Sequence, residues 1–140
     1  MKKTFVLVGS AFLALLVSQA AVLAHGDVQP QPVDTKGLDP LGSEWKEENP
    51  YRDNAKAIEI GAHGYAQNCA RCHGLEVISG GLAPDLRYLE KGKDGDTWFL
   101  ERFRHGAFVN GVTKMPAFEG ILSQEAAWAI RAYLESKHEE

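Results

Sequence analysis

Five consecutive residues, Cys69-Ala70-Arg71-Cys72-His73, combine side-chain types and spacing that could do chemistry. Two thiols separated by two residues and followed at once by an imidazole form the attachment signature of a haem. Each thiol can add to one vinyl group of the porphyrin, giving two thioether bonds. His73 then offers a ring nitrogen to the iron. A Cys-x-x-Cys pair also suits a redox dithiol or half of a zinc site. Tetrahedral zinc needs a second Cys/His pair at similar spacing, and the sequence has none. A thioredoxin-like dithiol needs a βαβ context, and no convincing strand pattern surrounds these residues. A disulfide closing so short a loop would staple little. Covalent haem is the reading adopted.

The iron's opposite face decides the function. The chain has two methionines, and Met1 leaves if an N-terminal signal is removed. Met115 then remains, 42 residues after His73, in Asn110-Gly111-Val112-Thr113-Lys114-Met115-Pro116-Ala117-Phe118. That stretch reads as an extended loop able to cross the other face of a disc, with the thioether as axial ligand. His105, at the end of a helix, is the competing ligand and would give a bis-histidine site of lower potential. Methionine and histidine together fill both axial positions. No site then remains for oxygen or substrate, and the chemistry left is one-electron transfer. The Pro84 carbonyl is placed to accept a hydrogen bond from the other nitrogen of His73, fixing the ring; the alternative for Pro84 is a simple turn. Trp98 could offer its indole N–H to a propionate.

These residues need few elements to position them. Asn54 is a fitting N-cap for a helix over 55–69, in which Ile58, Gly61, Ala62, Tyr65 and Cys69 share a face. Gly61 costs helix propensity, so a close backbone crossing is its expected use. Asp96 reads as the cap of a second helix, Thr97–His105, stopped by Gly106. Its Phe99 and Phe103 fit plain core better than a porphyrin wall. Ser123 caps a third helix over 124–137, whose alanines permit close passage at Gly61. Glycine-rich loops join them. The fold class is all-α: three main helices and long loops around one covalent haem.

Before this lie two segments of different character. Lys2 and Lys3, an apolar run from Thr4 to Val17, and small residues ending at Ala24 form an export signal. Cleavage after Ala24 would leave a periplasmic protein without a membrane anchor; a retained anchor is the alternative. The chain has 15 Lys and Arg against 19 Asp and Glu; removing residues 1–24 leaves 13 against 19, a formal charge of −6. That balance excludes a nucleic-acid partner, which needs a basic face. Residues 25–53 form an acidic arm containing Pro30, Pro32, Pro40 and Pro50, unsuited to regular structure beyond a turn near Ser43–Glu48. Val33, Leu38, Leu41, Trp45 and Tyr51 could pin it across the haem domain, 54–140; otherwise it is a free acidic tail.

Cys69 to His73, Gly61 and Tyr65, Pro84 and the Met115-Pro116 loop resemble the class I cytochrome c fold. His25-Gly26-Asp27-Val28, Asn49-Pro50-Tyr51-Arg52, Asn68 to Glu76, Ala83 to Arg87 and Met115 to Phe118 resemble the soluble periplasmic c-550 type cytochromes of quinoprotein ethanol dehydrogenase systems. The resemblance implies a monomeric electron carrier, not an enzyme, with one haem c. It implies a PQQ-dependent alcohol dehydrogenase as donor and a respiratory oxidase or other redox protein as acceptor. A methanol dehydrogenase or a general respiratory chain is the near alternative. A haem enzyme or gas sensor with an open sixth site is the alternative of a different class.

Overall fold

The computed structural model describes residues 29–140; the expected signal segment and its cleavage point lie outside the described residues. Among the described residues four α-helices carry the fold: α1 (Ala55–Asn68), α2 (Ala70–His73), α3 (Gly92–His105) and α4 (Gln124–Ser136). Between α3 and α4 lies a two-stranded antiparallel hairpin, β1 (Ala107–Val109) and β2 (Val112–Met115). Short 3₁₀ turns at Leu75–Val77 and Leu86–Tyr88 punctuate the long α2–α3 connection.

Helices α1 and α4 form the principal packed pair. Asn54 caps α1, its side-chain oxygen accepting from the Ala57 N–H at 3.0 Å, and Ser123 caps α4 by accepting from Ala126 at 3.2 Å. They cross at Gly61, where a Cβ atom would lie 1.9 Å from the Ala129 carbonyl oxygen. Only glycine lets the two backbones approach so closely. Ala126, Ala129, Ile130 and Leu134 bury the facing side of α4, with Trp128 fully enclosed beside Phe99.

Helix α3 begins at Gly92, five residues before the start expected from Asp96, and its N-cap is Lys91. Gly92 and Gly95 read as helix breakers in sequence. Gly95 has another purpose, since a Cβ there would stand 1.7 Å from the Glu90 carbonyl oxygen. Asp96 is therefore not a cap but a fully buried acceptor inside the helix. It takes the Arg131 Nε–H at 2.7 Å and the Asn49 N–H at 2.8 Å, and pairs with Arg52. A buried carboxylate needs such partners.

The hairpin departs from the plain loop expected around Met115. Asn110 and Gly111 both hold positive φ, 52° and 76°, the requirement of a two-residue hairpin turn matched to strand twist. The register pairs Val109 with Val112 and Phe108 with Thr113, then slips so that Ala107 faces Met115. One extra residue on β2, Lys114, makes this bulge.

The arm, 29–53, is laid along the helices with no regular element of its own. Asn68 holds its start, accepting from the Gln31 N–H at 2.6 Å and donating to the Gln31 carbonyl at 3.1 Å. Glu125 accepts from Leu41 N–H at 2.9 Å, and Gln124 donates to the carbonyls of Gly42 and Glu44. Trp45 rests between Phe103 and the Arg104 guanidinium. Tyr51 is buried, its hydroxyl donating to the Asp39 carbonyl. Of the two readings left open for this segment, the pinned arm is the one observed.

Candidate haem site

Helix α1 delivers Cys69 at its C-cap, where the cap N–H donates to the Tyr65 carbonyl at 2.8 Å. The single turn α2 then places Cys72 and His73, whose backbone N–H groups both return to the Cys69 carbonyl at 3.1 and 2.9 Å. Three side chains separated in sequence by two residues and none are thereby gathered on one tight turn. Tyr65 closes it by donating from its hydroxyl to the Gly74 carbonyl at 2.8 Å. The thiols are not joined to each other. Burial, and then the neighbouring Cys72, push the Cys69 thiol up to about 12. A thiol that keeps its proton at neutral pH is a poor redox nucleophile or thiolate ligand. Among the described residues no three His, Cys, Asp or Glu side chains converge as a metal cluster, so no second half of a zinc site is supplied.

The His73 Nδ1 lies 2.8 Å from the Pro84 carbonyl oxygen. The carbonyl can only accept, so Nδ1 carries the proton and Nε2 keeps its lone pair free for a metal. Met115 ends β2, partly buried against the core. The chain passes from α3 into the hairpin at Gly106 with φ 73°, and a Cβ there would stand 2.4 Å from the Met115 carbonyl oxygen. That glycine both ends the helix and admits the Met115-Pro116 backbone against it. His105 is turned elsewhere: Nδ1 lies 3.1 Å from Glu101 and Nε2 3.9 Å from Glu119, with the ring exposed. Trp98 stands on the outer side of α3 beside Tyr88 and Leu89, with the Arg102 guanidinium over its ring. A cavity of about 380 Å³ opens at the start of α3, lined by Arg52, Lys91, Gly92 and Glu135 among others. It contains none of the candidate ligands.

An apolar disc fits the surroundings of the donors. Leu75, Ile78 and Leu82, in the segment after His73, are 56–79 % exposed. Phe108, Val109, Val112 and Ile121, flanking Met115, are 49–69 % exposed. Large apolar side chains concentrated at the surface of the two segments that carry the candidate ligands mark a binding surface. A macrocycle bound against those segments would cover them. Sequence reasoning passed over these side chains, although Asn110-Gly111 between Phe108-Val109 and Val112 is a strong hairpin signal.

Comparison with known proteins shows the family. The family described as "Cytochrome C oxidase, cbb3-type, subunit III" matches residues 56–134. Cytochrome c550 of Pseudomonas aeruginosa is 57 % identical over 142 aligned residues, covering 99 % of this chain and 98 % of that protein. A quinohemoprotein alcohol dehydrogenase of Pseudomonas putida, ADH-IIG, is 35 % identical over 82 residues, which are 59 % of this chain but 11 % of the enzyme. The crystal structure of cytochrome CL from Methylophaga aminisulfidivorans superposes with a TM-score of 0.54 at 21 % identity, over 76 % of this chain and 74 % of that one. The chain belongs to the class I c-type cytochromes. The relatives it matches over most of their length, c550 and c6 cytochromes, are electron carriers rather than enzymes, and it is an electron carrier of that kind.

Proposed function

We propose that this chain is a monomeric periplasmic carrier with one covalent haem c, reduced by a PQQ-dependent alcohol dehydrogenase and oxidised by the respiratory chain. The observation that carries the site is the 2.8 Å contact of His73 Nδ1 with the Pro84 carbonyl, on the same turn as both thiols. Cys69 and Cys72 anchor the macrocycle through thioethers, and His73 Nε2 and the Met115 sulfur hold its iron. The bound group supplies exchange of a single electron at a coordinatively filled iron. The protein's own contribution is positional. Pro84 holds the His73 proton and ring plane, the Lys114 bulge brings Met115 rather than Lys114 opposite Ala107, and the apolar side chains of 75–82 and 108–121 keep water off the ring. Trp98, exposed on α3, is offered to a propionate.

The donor is inferred from the 82-residue likeness to a quinohemoprotein alcohol dehydrogenase. That such an enzyme's own polypeptide contains a stretch like this chain supports a dehydrogenase as the electron donor. Export rests on the signal pattern of residues 1–24; among the described residues no helix is long and apolar enough to cross a membrane. Stopped-flow reduction of the ferric protein by a PQQ alcohol dehydrogenase with ethanol tests the reading. The controls are the same mixture without ethanol, and a methanol dehydrogenase with methanol. Rapid ethanol-dependent reduction is expected. Reduction only by the methanol system, or by neither, would overturn the assigned donor.

A further inference from the structure

The Pro84 carbonyl can orient His73 only if Pro84 is itself held. The segment from Gly74 to Pro84 contains three glycines and a single short 3₁₀ turn, so local conformation does not fix it. The residues on either side of Pro84 are fastened instead by side chains. Asp85 accepts from the Arg87 backbone N–H at 3.0 Å, and its carboxylate is gripped by the Arg87 guanidinium, Nε to Oδ1 at 3.0 Å and Nη2 to Oδ2 at 2.8 Å. The same carboxylate accepts from Ser79 N–H at 3.3 Å, while the Ser79 hydroxyl donates to the Ala83 carbonyl at 2.5 Å. Both neighbours of Pro84 are thereby tied. The two-pronged grip is the geometry that arginine, not lysine, supplies.

Arg87 is anchored in turn to the residues after α4. Its third nitrogen, Nη1, donates to Glu139 Oε1 at 2.7 Å, and the Glu139 N–H donates to the Arg87 carbonyl at 3.0 Å. His138 Nδ1 lies 3.1 Å from the Leu89 carbonyl oxygen. Lys137 reaches the other end of the same loop, donating to Glu76 at 2.6 Å. Residues 137–139 thus span the loop on both sides of Pro84. None of these charges meets His73 directly.

We propose that Arg87 is a positioning residue for His73: its grip on Asp85, anchored at Glu139, holds the Pro84 carbonyl on Nδ1 and so sets the donor strength of the imidazole. The proposal rests on the reading that His73 ligates the haem iron. Weakening the Nδ1–H···O=C bond makes the imidazole a poorer donor, which disfavours ferric iron relative to ferrous. Loss of the grip therefore raises the potential without removing any ligand.

The test uses the haem-loaded full chain and its Arg87→Gln variant, with Arg87→Lys and Glu139→Gln beside them. Two quantities are read: solvent exchange of the His73 Nδ1 proton by NMR, and the ferric-to-ferrous ratio at the wild-type midpoint. Arg87→Gln is expected to speed exchange at least tenfold and to shift the ratio from one to one to at least two to one in favour of ferrous. Glu139→Gln moves both in the same direction by less, and Arg87→Lys restores neither fully. An Arg87→Gln protein with its haem absorption intact and both quantities unchanged overturns the proposal. If that variant fails to load, Glu139→Gln decides, and unchanged exchange in it overturns the proposal equally. A His73→Ala variant whose iron spectrum matched wild type would instead overturn the ligand assignment beneath it.

Discussion

At the scale of single residues, the site depends on which atoms are left free and which are committed. His73 has one nitrogen on Pro84, and His105 has both directed at carboxylates, so they are not equivalent candidates for iron although each is the last residue of a helix. Met115 is distinguished by a bulge rather than by its type. In an unbroken register Lys114 would face Ala107, and the extra residue exchanges an ammonium for a thioether at that place. A Met115→Ala substitution in the haem-loaded protein is expected to abolish the weak near-infrared marker of an iron–sulfur bond. It should also lower the potential and let the ferrous form bind carbon monoxide. Absorption spectroscopy and redox titration check this, and an unchanged spectrum and potential would remove Met115 from the iron.

Elements hold these residues through a few close approaches. Gly61→Ala would drive a methyl group into the Ala129 carbonyl, a backbone atom that cannot turn aside. The expected cost is about 3 kcal/mol, or a fall in Tm of roughly 10 °C or more, readable by thermal denaturation of the loaded protein. The arm is held partly by Tyr51, whose phenol is raised to about 12, chiefly by burial. Between pH 10 and 12 the unfolded phenol loses its proton while the folded one keeps it. The unfolded state then binds fewer protons, and stability falls as pH rises through that window. Denaturant titrations across it should show a shallower decline in Tyr51→Phe. Much of this architecture is legible in the sequence. The caps Asn54 and Ser123, the crossing at Gly61 and the stop at Gly106 are local or small-residue signals, and each reads directly. The start of α3 is not legible. Asp96 looks like a cap because its three partners, Arg131, Asn49 and Arg52, come from distant segments. The pinning of the arm is hidden for the same reason: Gln124 and Glu125 read as an ordinary first helical turn, yet they serve residues some 80 positions away.

For the whole molecule, the division of labour between chain and ligand follows from size. A described body of about a hundred residues buries one core around α1, α4 and the aromatic side chains of Phe99, Phe103 and Phe118, and leaves Leu75, Ile78, Leu82, Phe108, Val109, Val112 and Ile121 exposed. The chain prepared without haem is expected to bind a hydrophobic dye and to melt well below the loaded form. Equal melting points and no dye binding would show that those side chains need no cover. The arm and α4 add a kinetic consequence. Leu41 to Glu125 and Lys46 to Gln124 are bonds between the first and last parts of the described chain, separated by 84 and 78 residues, and α1 closes against the same final helix. So large a contact order delays folding, because the long loop must close before its contacts reward it. A nascent chain cannot complete this structure until α4 has emerged. Until then Cys69-Ala70-Arg71-Cys72-His73 remains on open polypeptide, where the proposed joining of haem to its thiols would meet no folded barrier.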